Sequence, residues 1–344
     1  MSKTTMRDVA ERSGVSVTTV SHVLNDVPGK RINPQTRSRV LRAADELLYR
    51  PNQLARGLRT QRSGMIGFLS DQVSTTPYAG RMIVGAQAAA EEVGSLLLLL
   101  DSGGDPDLEE REVEALRERQ VDGIVYATYY HRVVHPPANL ADGPVVLLDA
   151  RSADGSISSV VPDEVGGARS AVEVLLAAGH RRIGFVTTDE EIAARDLRLT
   201  GYRQALEVYG LPFDPALVAL GGADAQAGFA AAHQLLAPPG RPTAIFCFKD
   251  LAAMGVYQAA GELGLSIPED LSVVGFDDQL LISESLRPGL TTVALPHEEM
   301  GRWAVRTLLE RIDAPSQPAS ATHALLPCPV VSRGSVARPA TGPP

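Results

Sequence analysis

The chain has 344 residues, of which 44% are apolar and 21% charged, and its formal net charge is −9. This composition is typical of folded globular proteins and excludes extensive disorder, while the length suggests two or three folding units. The most apolar run, SLLLLL at 95–100, is far shorter than the ~20 residues of a membrane span, so it predicts a buried strand.

The N-terminus and the cysteines favour a reduced cytoplasmic protein. The first residues, MSKTTMRDVAERSG, lack the apolar segment and the small-residue cleavage site of a secretory signal. Cys247 and Cys328 each lie in an apolar, strand-like run, with no CxxC motif and no histidine nearby. We therefore expect no metal site, no cofactor and no thiol chemistry.

Positive charge is concentrated at one end of the chain. Residues 1–62 hold 12 Lys and Arg against 5 Asp and Glu, whereas residues 63–344 hold 20 against 36. A basic segment on an acidic chain suggests contact with nucleic acid or an anionic membrane. A solvated basic face is an equally good explanation of the charge alone.

Three short helices are predicted in the first fifty residues, at about 6–13, at about 17–24, and from Pro34 until Pro51 ends the third. Each follows a residue whose side chain can cap it. These capping residues are Thr5, Ser16 and Asn33. Two short helices joined by a glycine-containing turn, with a third behind them, form a helix-turn-helix, which places its second helix in the DNA major groove. An ordinary three-helix unit with a solvated polar face is the alternative.

Two motifs make the comparison with known families specific. The stretches DVAERSGVSVTTVSHVLN and RPNQLARGL resemble the DNA-binding head and hinge of the lactose/galactose repressor (LacI/GalR) family, and the likeness continues along almost the whole chain. The resemblance implies that the second helix reads base edges through Val17, Thr18 and His22. It also implies a set of residues that face phosphates. These are Thr5, Ser16, Thr19, Ser21 and Asn25.

His22 departs from the arginine that is common at its position in the family. Arginine can bind guanine through two hydrogen bonds, which a single imidazole cannot reproduce. The operator sequence therefore cannot be carried over from the family.

The stretch NQLARGLRT at 52–60 is shorter than the ~12–15 residues that an isolated helix needs in water. Gly57 costs roughly a further 1 kcal/mol relative to alanine. The family resemblance implies that this linker becomes helical only on DNA, with Asn52 and Ala55 among its contacts. It also implies that Leu58 and its twin from a second subunit enter the minor groove as a wedge. A flexible basic linker is the alternative.

From residue 64 onward, apolar runs alternate with amphipathic helical patterns, which is typical of a doubly wound α/β fold with parallel sheets. The predicted strands are MIGFLS, SLLLLLD, GIVYAT, VVLLDA, RIGFVTT, AIFCFK, LSVVGFDD and TTVAL. MIGFLSD with the helix after it resembles RIGFVTTD with its own helix, so we predict two similar lobes. Ligands of such folds bind at the carboxyl ends of the strands, here in a cleft between the lobes.

The predicted fold is thus an all-α helix-turn-helix domain followed by a two-lobed, periplasmic-binding-protein-like (type I) α/β domain. The expected boundaries are 1–50 for the DNA-binding domain, 51–63 for the hinge or linker, and 64–336 for the two lobes. The first lobe is expected at 64–162 and 292–322, and the second at 163–291 and 323–336. Residues 337–344 are expected to form a disordered tail.

Polar side chains follow several of the predicted strands. Carboxylate and guanidinium groups in such positions can bind pairs of neighbouring hydroxyls, as on a sugar, although a single acidic residue after a strand is more often a cap or turn. The family resemblance favours the effector pocket for Asp149, Arg198 and Asp277, and the loop STTPYAG for its edge. The full set of candidate effector residues is Asp71, Thr76, Tyr78, Asp149, Arg151, Arg198, Lys249 and Asp277.

Lys249 is a second departure, because asparagine commonly precedes the aspartate at this place in the family. The lysine could favour an acidic or phosphorylated effector, or it could pair with a nearby carboxylate. Trp303 lies on a helix with the spacing of a core residue, so no sugar-stacking role is assigned to it.

The chain has no GxSxG elbow, P-loop, HExxH or strand-following GxGxxG motif, so we expect no enzyme. The resemblance implies a homodimeric transcriptional regulator that acts as a repressor and binds a pseudo-palindromic double-stranded operator in the cytoplasm, at the bacterial nucleoid. Its implied effector is a small sugar or sugar phosphate. The alternatives are a sugar-binding solute receptor without DNA regulation and an architectural DNA-binding protein without an effector.

Overall fold

The computed structural model describes residues 4–24, 30–49, 62–76, 79–222, 224–314 and 320–340. The chain divides into two compact units between Ser63 and Gly64. Several predicted contact residues lie outside the described residues. They are Asn25, Asn52, Ala55, Leu58 and Tyr78.

The first unit contains the predicted helices α1 (Met6–Ser13), α2 (Val17–Leu24) and α3 (Pro34–Glu46). The capping prediction for α1 is confirmed, since the Thr5 N–H donates to Asp8 Oδ2 at 2.7 Å and the Thr5 hydroxyl accepts from the Asp8 N–H. The apolar sides of the three helices meet in one small core. It contains Val9, Ala10, Val20, Val23, Val40, Ala43 and Ala44.

The second unit contains two mostly parallel sheets, as predicted. The first has the strand order β2-β1-β3-β4-β5-β11, and the second has the order β7-β6-β8-β9-β10-β12. The strands of the first are β1 (Met65–Asp71), β2 (Leu96–Asp101), β3 (Gly123–Val134), β4 (Val145–Ser152), β5 (Ser159–Pro162) and β11 (His323–Leu326). Those of the second are β6 (Ile183–Thr187), β7 (Val218–Leu220), β8 (Ala244–Cys247), β9 (Ser272–Asp277), β10 (Thr291–Ala294) and β12 (Val330–Val331).

Helices cover both faces of these sheets, and apolar side chains fill the space between the layers. The helices of the first lobe are α4 (Gly80–Glu92), α5 (Pro106–Glu118) and α11 (His297–Asp313). Those of the second lobe are α6 (Glu164–Ala178), α7 (Ala193–Val208), α8 (Ala225–Leu236), α9 (Asp250–Glu262) and α10 (Leu280–Ser283). Trp303 on α11 packs partly buried against the core of the first lobe, as its spacing indicates.

The prediction that SLLLLL is a buried strand is wrong. The run forms β2, which pairs only with β1 at the edge of the first sheet, and Leu96 is 71% exposed. An edge strand has one neighbour instead of two, so part of its apolar surface stays uncovered. The apolar run therefore marks an exposed edge.

Strand pairing also moves two of the expected lobe boundaries. Strand β10, which begins at Thr291, pairs with β9 in the second sheet, whereas the first lobe was expected to resume at 292. Strand β11 pairs with β5 in the first sheet, so the first lobe continues to Leu326 rather than ending at 322. Both strands have only four residues, too short for their pattern to indicate which sheet they join.

The tail was expected to begin at 337, but Ala337 is held in place. Its N–H donates to Ser272 Oγ at 3.1 Å, and its carbonyl accepts from His180 Nε2 at 2.9 Å. Burial lowers the pKa of His180, which favours the neutral ring in this position. Residues 341–344 lie outside the described part of the chain.

Helices α4 and α11 approach each other closely at two glycines. A Cβ on Gly301 would overlap the Met82 carbonyl and lie 2.8 Å from the Ala86 nitrogen, and one on Gly85 would overlap the Glu298 carbonyl. Because the obstructing atoms belong to the backbone, the helices could accept a methyl group only by moving apart.

We predict that Gly301→Ala lowers the free energy of unfolding by about 1–3 kcal/mol, because overpacking forces two helices apart. Gly261→Ala is the matched control, since Gly261 lies on α9 with open space around its Cβ position. The control should stabilise by about 0.5–1 kcal/mol. Urea denaturation of both variants measures the difference, and equal stabilities would contradict the close approach.

Candidate DNA-reading helix and effector cleft

Helix α2 presents a polar face opposite its buried side. Val17 is 42% exposed and Thr18 is also exposed, while Val20 and Val23 are buried. Ser21 and His22 are partly buried. This alternation follows the helical repeat, and it leaves short side chains on the outer surface.

Two pairs of polar side chains contain predicted phosphate-facing residues, and they differ in whether a hydroxyl proton remains for another acceptor. Ser16 Oγ accepts the Thr19 N–H at 3.1 Å and lies 2.9 Å from Thr19 Oγ1, so one hydroxyl proton of the pair remains for an outside acceptor. The Thr5 hydroxyl donates to Asp8 Oδ2 at 2.8 Å. Hydrogen bonds from Thr5 lower the pKa of the Asp8 carboxyl, which keeps it charged and the Thr5 proton engaged.

In the second unit, a small cavity lies at the carboxyl ends of strands from both sheets. Its volume is about 10 Å³, enough for one water molecule. From the first lobe it is lined by Tyr129, Tyr130, His131 and Asp149. From the second lobe and the connecting segments it is lined by Glu164, Ala194, Arg198, Phe248, Lys249, Asp277 and Leu295. We call this set the effector cleft.

Arg198 on α7 is the central cation of the effector cleft. Its Nε donates to Glu164 Oε2 at 2.6 Å, and its Nη1 donates to the Phe248 carbonyl and lies 3.6 Å from Asp277 Oδ1. The guanidinium also stacks on Phe276, with Cζ 3.7 Å from the ring centre. Burial raises the pKa of both carboxyls, and Arg198 opposes that shift. The ion pairs therefore favour the charged form of both carboxyls against the effect of burial.

Asp149 faces the same cavity from β4 with a left-handed backbone, φ 59°. Its Oδ1 is buried and has no hydrogen-bond partner among the described residues. Burial, with the nearby Glu164 and Asp277, raises the pKa of the Asp149 carboxyl well above its usual value. These effects favour the uncharged form of this carboxyl more than in a solvent-exposed aspartate.

Lys249 is buried at the start of α9, with its Nζ 4.5 Å from the centre of the Tyr130 ring. Burial lowers its pKa, and the nearby carboxylates of Asp277, Glu190 and Glu164 oppose that shift. Tyr130 belongs to the first lobe and Lys249 to the second. This cation–π contact therefore joins the lobes across the cleft.

Three of the predicted effector residues do not line the cleft. Asp71 is ion-paired with Arg132, and its Oδ1 accepts the Tyr129 N–H at 3.0 Å, so its carboxylate binds two residues of β3. Thr76 makes backbone hydrogen bonds in the turn after β1, and Arg151 is half-buried beyond Asp149 on β4. A position after a strand does not by itself determine where a side chain points.

The two further aspartates that follow strands bind partners other than the residues that line the cleft. Asp250 accepts the Thr292 hydroxyl at 2.5 Å and the Gln279 N–H at 2.7 Å. Asp278 accepts from Arg333 Nη2 at 2.8 Å and from the Ser283 hydroxyl at 3.1 Å. Asp277 and Asp278 therefore bind different partners, since Asp277 lies 3.6 Å from Arg198 Nη1.

Sequence reasoning missed seven residues of the cleft, namely Tyr129, Tyr130, His131, Glu164, Ala194, Phe248 and Leu295. The signal for three of them was the stretch YYH directly after GIVYAT, at the carboxyl end of a parallel strand. Strand β3 continues past it through a register shift between Ala127 and Arg132, which turns this segment into the cleft.

Comparison with known proteins agrees with this arrangement. Residues 5–52 match the model of bacterial regulatory proteins of the lacI family, and 172–336 match a periplasmic binding protein-like domain. The transcriptional regulator DegA of Bacillus subtilis is 35% identical over 309 residues, covering 89% of this chain and 90% of DegA. The chain belongs to the LacI family.

Other LacI-family proteins match over similar lengths. The ribose operon repressor of Escherichia coli K12 is 33% identical over 317 residues, covering 91% of this chain and 94% of the repressor. The structure of the lac repressor dimer bound to operator and the anti-inducer ONPF has a TM-score of 0.76 at 27% identity, covering 98% of this chain and all of that one. A CelR–cellobiose complex has a TM-score of 0.69 at 29% identity, covering 97% and 100%.

As a LacI-family member, the protein is a DNA-binding transcriptional regulator with a helix-turn-helix domain and a periplasmic-binding-protein-like domain, and not an enzyme. The alternative of a solute receptor without DNA regulation is therefore wrong. Regulators of this family work in the cytoplasm, where they bind DNA. No helix in the described parts of the chain is both long and apolar enough to cross a membrane.

We predict that Arg198→Ala lowers the free energy of unfolding by about 3–5 kcal/mol, because it leaves buried Glu164 and Asp277 without their cation. Arg169→Ala is the control, since Arg169 forms an exposed pair with Glu173 on α6. Its loss should cost less than about 1 kcal/mol. Chemical denaturation followed by circular dichroism measures both, and a mild effect at Arg198 would show that the carboxyls are not charged.

Proposed function

We propose that the protein is a homodimeric repressor that binds a pseudo-palindromic operator at the nucleoid through α2, with its affinity controlled by a neutral, hydroxyl-rich effector in the effector cleft. The observation that carries the effector class is the balance of buried charge in that cleft. Changes there reach the DNA-binding unit through the linker at 51–63, which is the covalent connection between the units.

The outer face of α2 supports the assignment of base contacts to Val17, Thr18 and His22. Thr18 offers a hydroxyl and Val17 an apolar surface for a thymine methyl group. Phosphate contacts are assigned to Ser16, Thr19 and Ser21. Thr5 is the weakest candidate of this set, because its hydroxyl proton is already donated to Asp8.

The charge of the cleft favours one of the two roles considered for Lys249. The lining holds three carboxyl groups, Asp149, Glu164 and Asp277, against the cations Arg198 and Lys249. Even with Asp149 protonated, no positive charge is left over for an anionic ligand. A phosphate group brings about −1.5 to −2 charges into this site. A neutral sugar therefore fits better, with Lys249 balancing carboxylates.

Two relatives support this ligand class through their own ligands. One structural neighbour is a CelR–cellobiose complex. Another is a LacI-family regulator from Enterococcus faecium with bound ribose, with a TM-score of 0.66 at 27% identity, covering 80% of this chain and 99% of that one. Neither of these ligands identifies the effector of this protein.

Exposed apolar residues at corresponding edges of the two sheets support a dimer. Leu96 and Leu99 lie on β2 at the edge of the first sheet, and Leu220 lies on β7 at the edge of the second. Leu281 on α10 is 82% exposed. Apolar residues on edge strands favour pairing with a second copy, and a symmetric dimer suits a palindromic site.

We predict that a neutral sugar raises the unfolding temperature more than its phosphate ester does. Ligand at 100 times its dissociation constant stabilises the folded state by about 2.7 kcal/mol. A thermal-shift screen of matched sugars and sugar phosphates at one ionic strength measures the difference. A larger shift with the phosphate ester would contradict the charge argument.

We predict that His22→Arg changes the preferred base at one operator position, towards guanine. A bidentate contact discriminates by about 1–3 kcal/mol. Selection from a randomised operator library, followed by sequencing, gives the preference. Arg39→Ala is the control, because Arg39 is exposed on α3 and its loss should alter affinity without altering base preference. An unchanged preference in His22→Arg would remove His22 from base reading.

A further inference from the structure

Two buried histidines of the second unit differ in their hydrogen bonding. His180 has Thr243 Oγ1 2.8 Å from Nδ1, and its Nε2 lies 3.0 Å from Ser272 Oγ and 2.9 Å from the Ala337 carbonyl. His131 is only 5% exposed, yet its Nδ1 has no hydrogen-bond partner within the described residues. A buried polar atom without a partner costs free energy, so a residue that keeps one needs another explanation.

The unpartnered nitrogen belongs to a residue that lines the effector cleft, as does a second unpartnered atom. Asp149 is 2% exposed, and its Oδ1 also has no hydrogen-bond partner among the described residues. The cavity that both residues line has a volume of about 10 Å³, which suits one hydroxyl-sized group. Two unused polar atoms and a small shared space point to one ligand group.

We propose that His131 is an effector-contacting residue that, together with Asp149, binds one hydroxyl of a neutral sugar and so sets specificity for it. This inference rests on the proposed function of the cleft. The lobes must move apart to admit the sugar, and they close on this hydroxyl.

The protonation states of the two side chains suit a hydroxyl. Burial, aided by the positive charges of Arg151 and Arg198, lowers the pKa of His131 to about 4. The ring is therefore neutral near pH 7, with one nitrogen as donor and the other as acceptor. Burial raises the pKa of the Asp149 carboxyl, and in its uncharged form this group also combines a donor with an acceptor. A hydroxyl can donate to one of these groups and accept from the other, which a carboxylate or phosphate cannot do.

The first test needs no ligand and uses His180 as the matched control. His131→Leu removes an unpaired nitrogen, so the unfolding temperature should stay unchanged or rise. His180→Leu removes satisfied hydrogen bonds and should lower the unfolding temperature by roughly 5 °C. If His131→Leu lowers the temperature as much as His180→Leu does, the His131 ring is structural and the proposal is overturned.

The second test adds the panel of neutral sugars. A sugar that stabilises the wild-type protein should bind His131→Leu at least about tenfold more weakly, whereas His131→Asn, which keeps a donor and an acceptor, should recover part of the affinity. The deoxy analogue lacking the bound hydroxyl should bind the wild-type and leucine proteins equally. Undiminished binding of the parent sugar to His131→Leu would overturn the proposal.

The two tests separate this inference from the function on which it rests. If no sugar of the panel raises the unfolding temperature of the wild-type protein, the neutral-sugar assignment of the cleft fails. The ligand-free comparison of the two leucine variants still decides about His131. A His131→Leu protein as stable as the wild type then supports a site that binds a different hydroxyl compound. A destabilised His131→Leu protein overturns the effector-contacting role of His131.

Discussion

The buried ion pairs of Arg198 with Glu164 and Asp277 are the constraint on which the effector cleft depends. Each of these charges alone would be too costly to bury, whereas together they form a group of paired charges on the second-lobe side of the cleft. On the first-lobe side, the cleft is lined by Tyr130 and by His131 and Asp149, whose pKa shifts favour their uncharged forms. The cleft consequently combines strong, oriented hydrogen-bonding groups with almost no net charge, a combination that suits hydroxyls better than anions.

The contact between Tyr130 and Lys249 shows how such a cleft can control the position of the lobes. It joins them across a space too small for a sugar, so binding requires the contact to open or shift. A ligand can alter operator affinity only through a difference in its affinity for the two lobe arrangements, typically ~1–3 kcal/mol of coupling. The exchange of one cation–π contact for sugar contacts is of that size.

Local rules predicted much of this molecule, and the failures have a common cause. Helix caps at Thr5 and Ser16 depend on neighbours within three residues, and most strands of both sheets followed from their apolar patterns. Asp149, Arg198, Lys249 and Asp277 were placed at the cleft because family motifs identified them. Asp71 was misplaced because its partner Arg132 lies on another strand, and Ala337 because it is held by His180. Such distant pairings leave no local pattern.

Thermodynamic linkage between cleft and operator tests the account most directly. Fluorescence anisotropy at fixed salt gives the operator affinity with and without a saturating sugar, which is first identified by thermal shift. Titration calorimetry gives the affinity for the same sugar with and without operator. The account predicts that both affinities change by the same factor, about 5- to 150-fold. An operator affinity that stays the same when the cleft is saturated would contradict it.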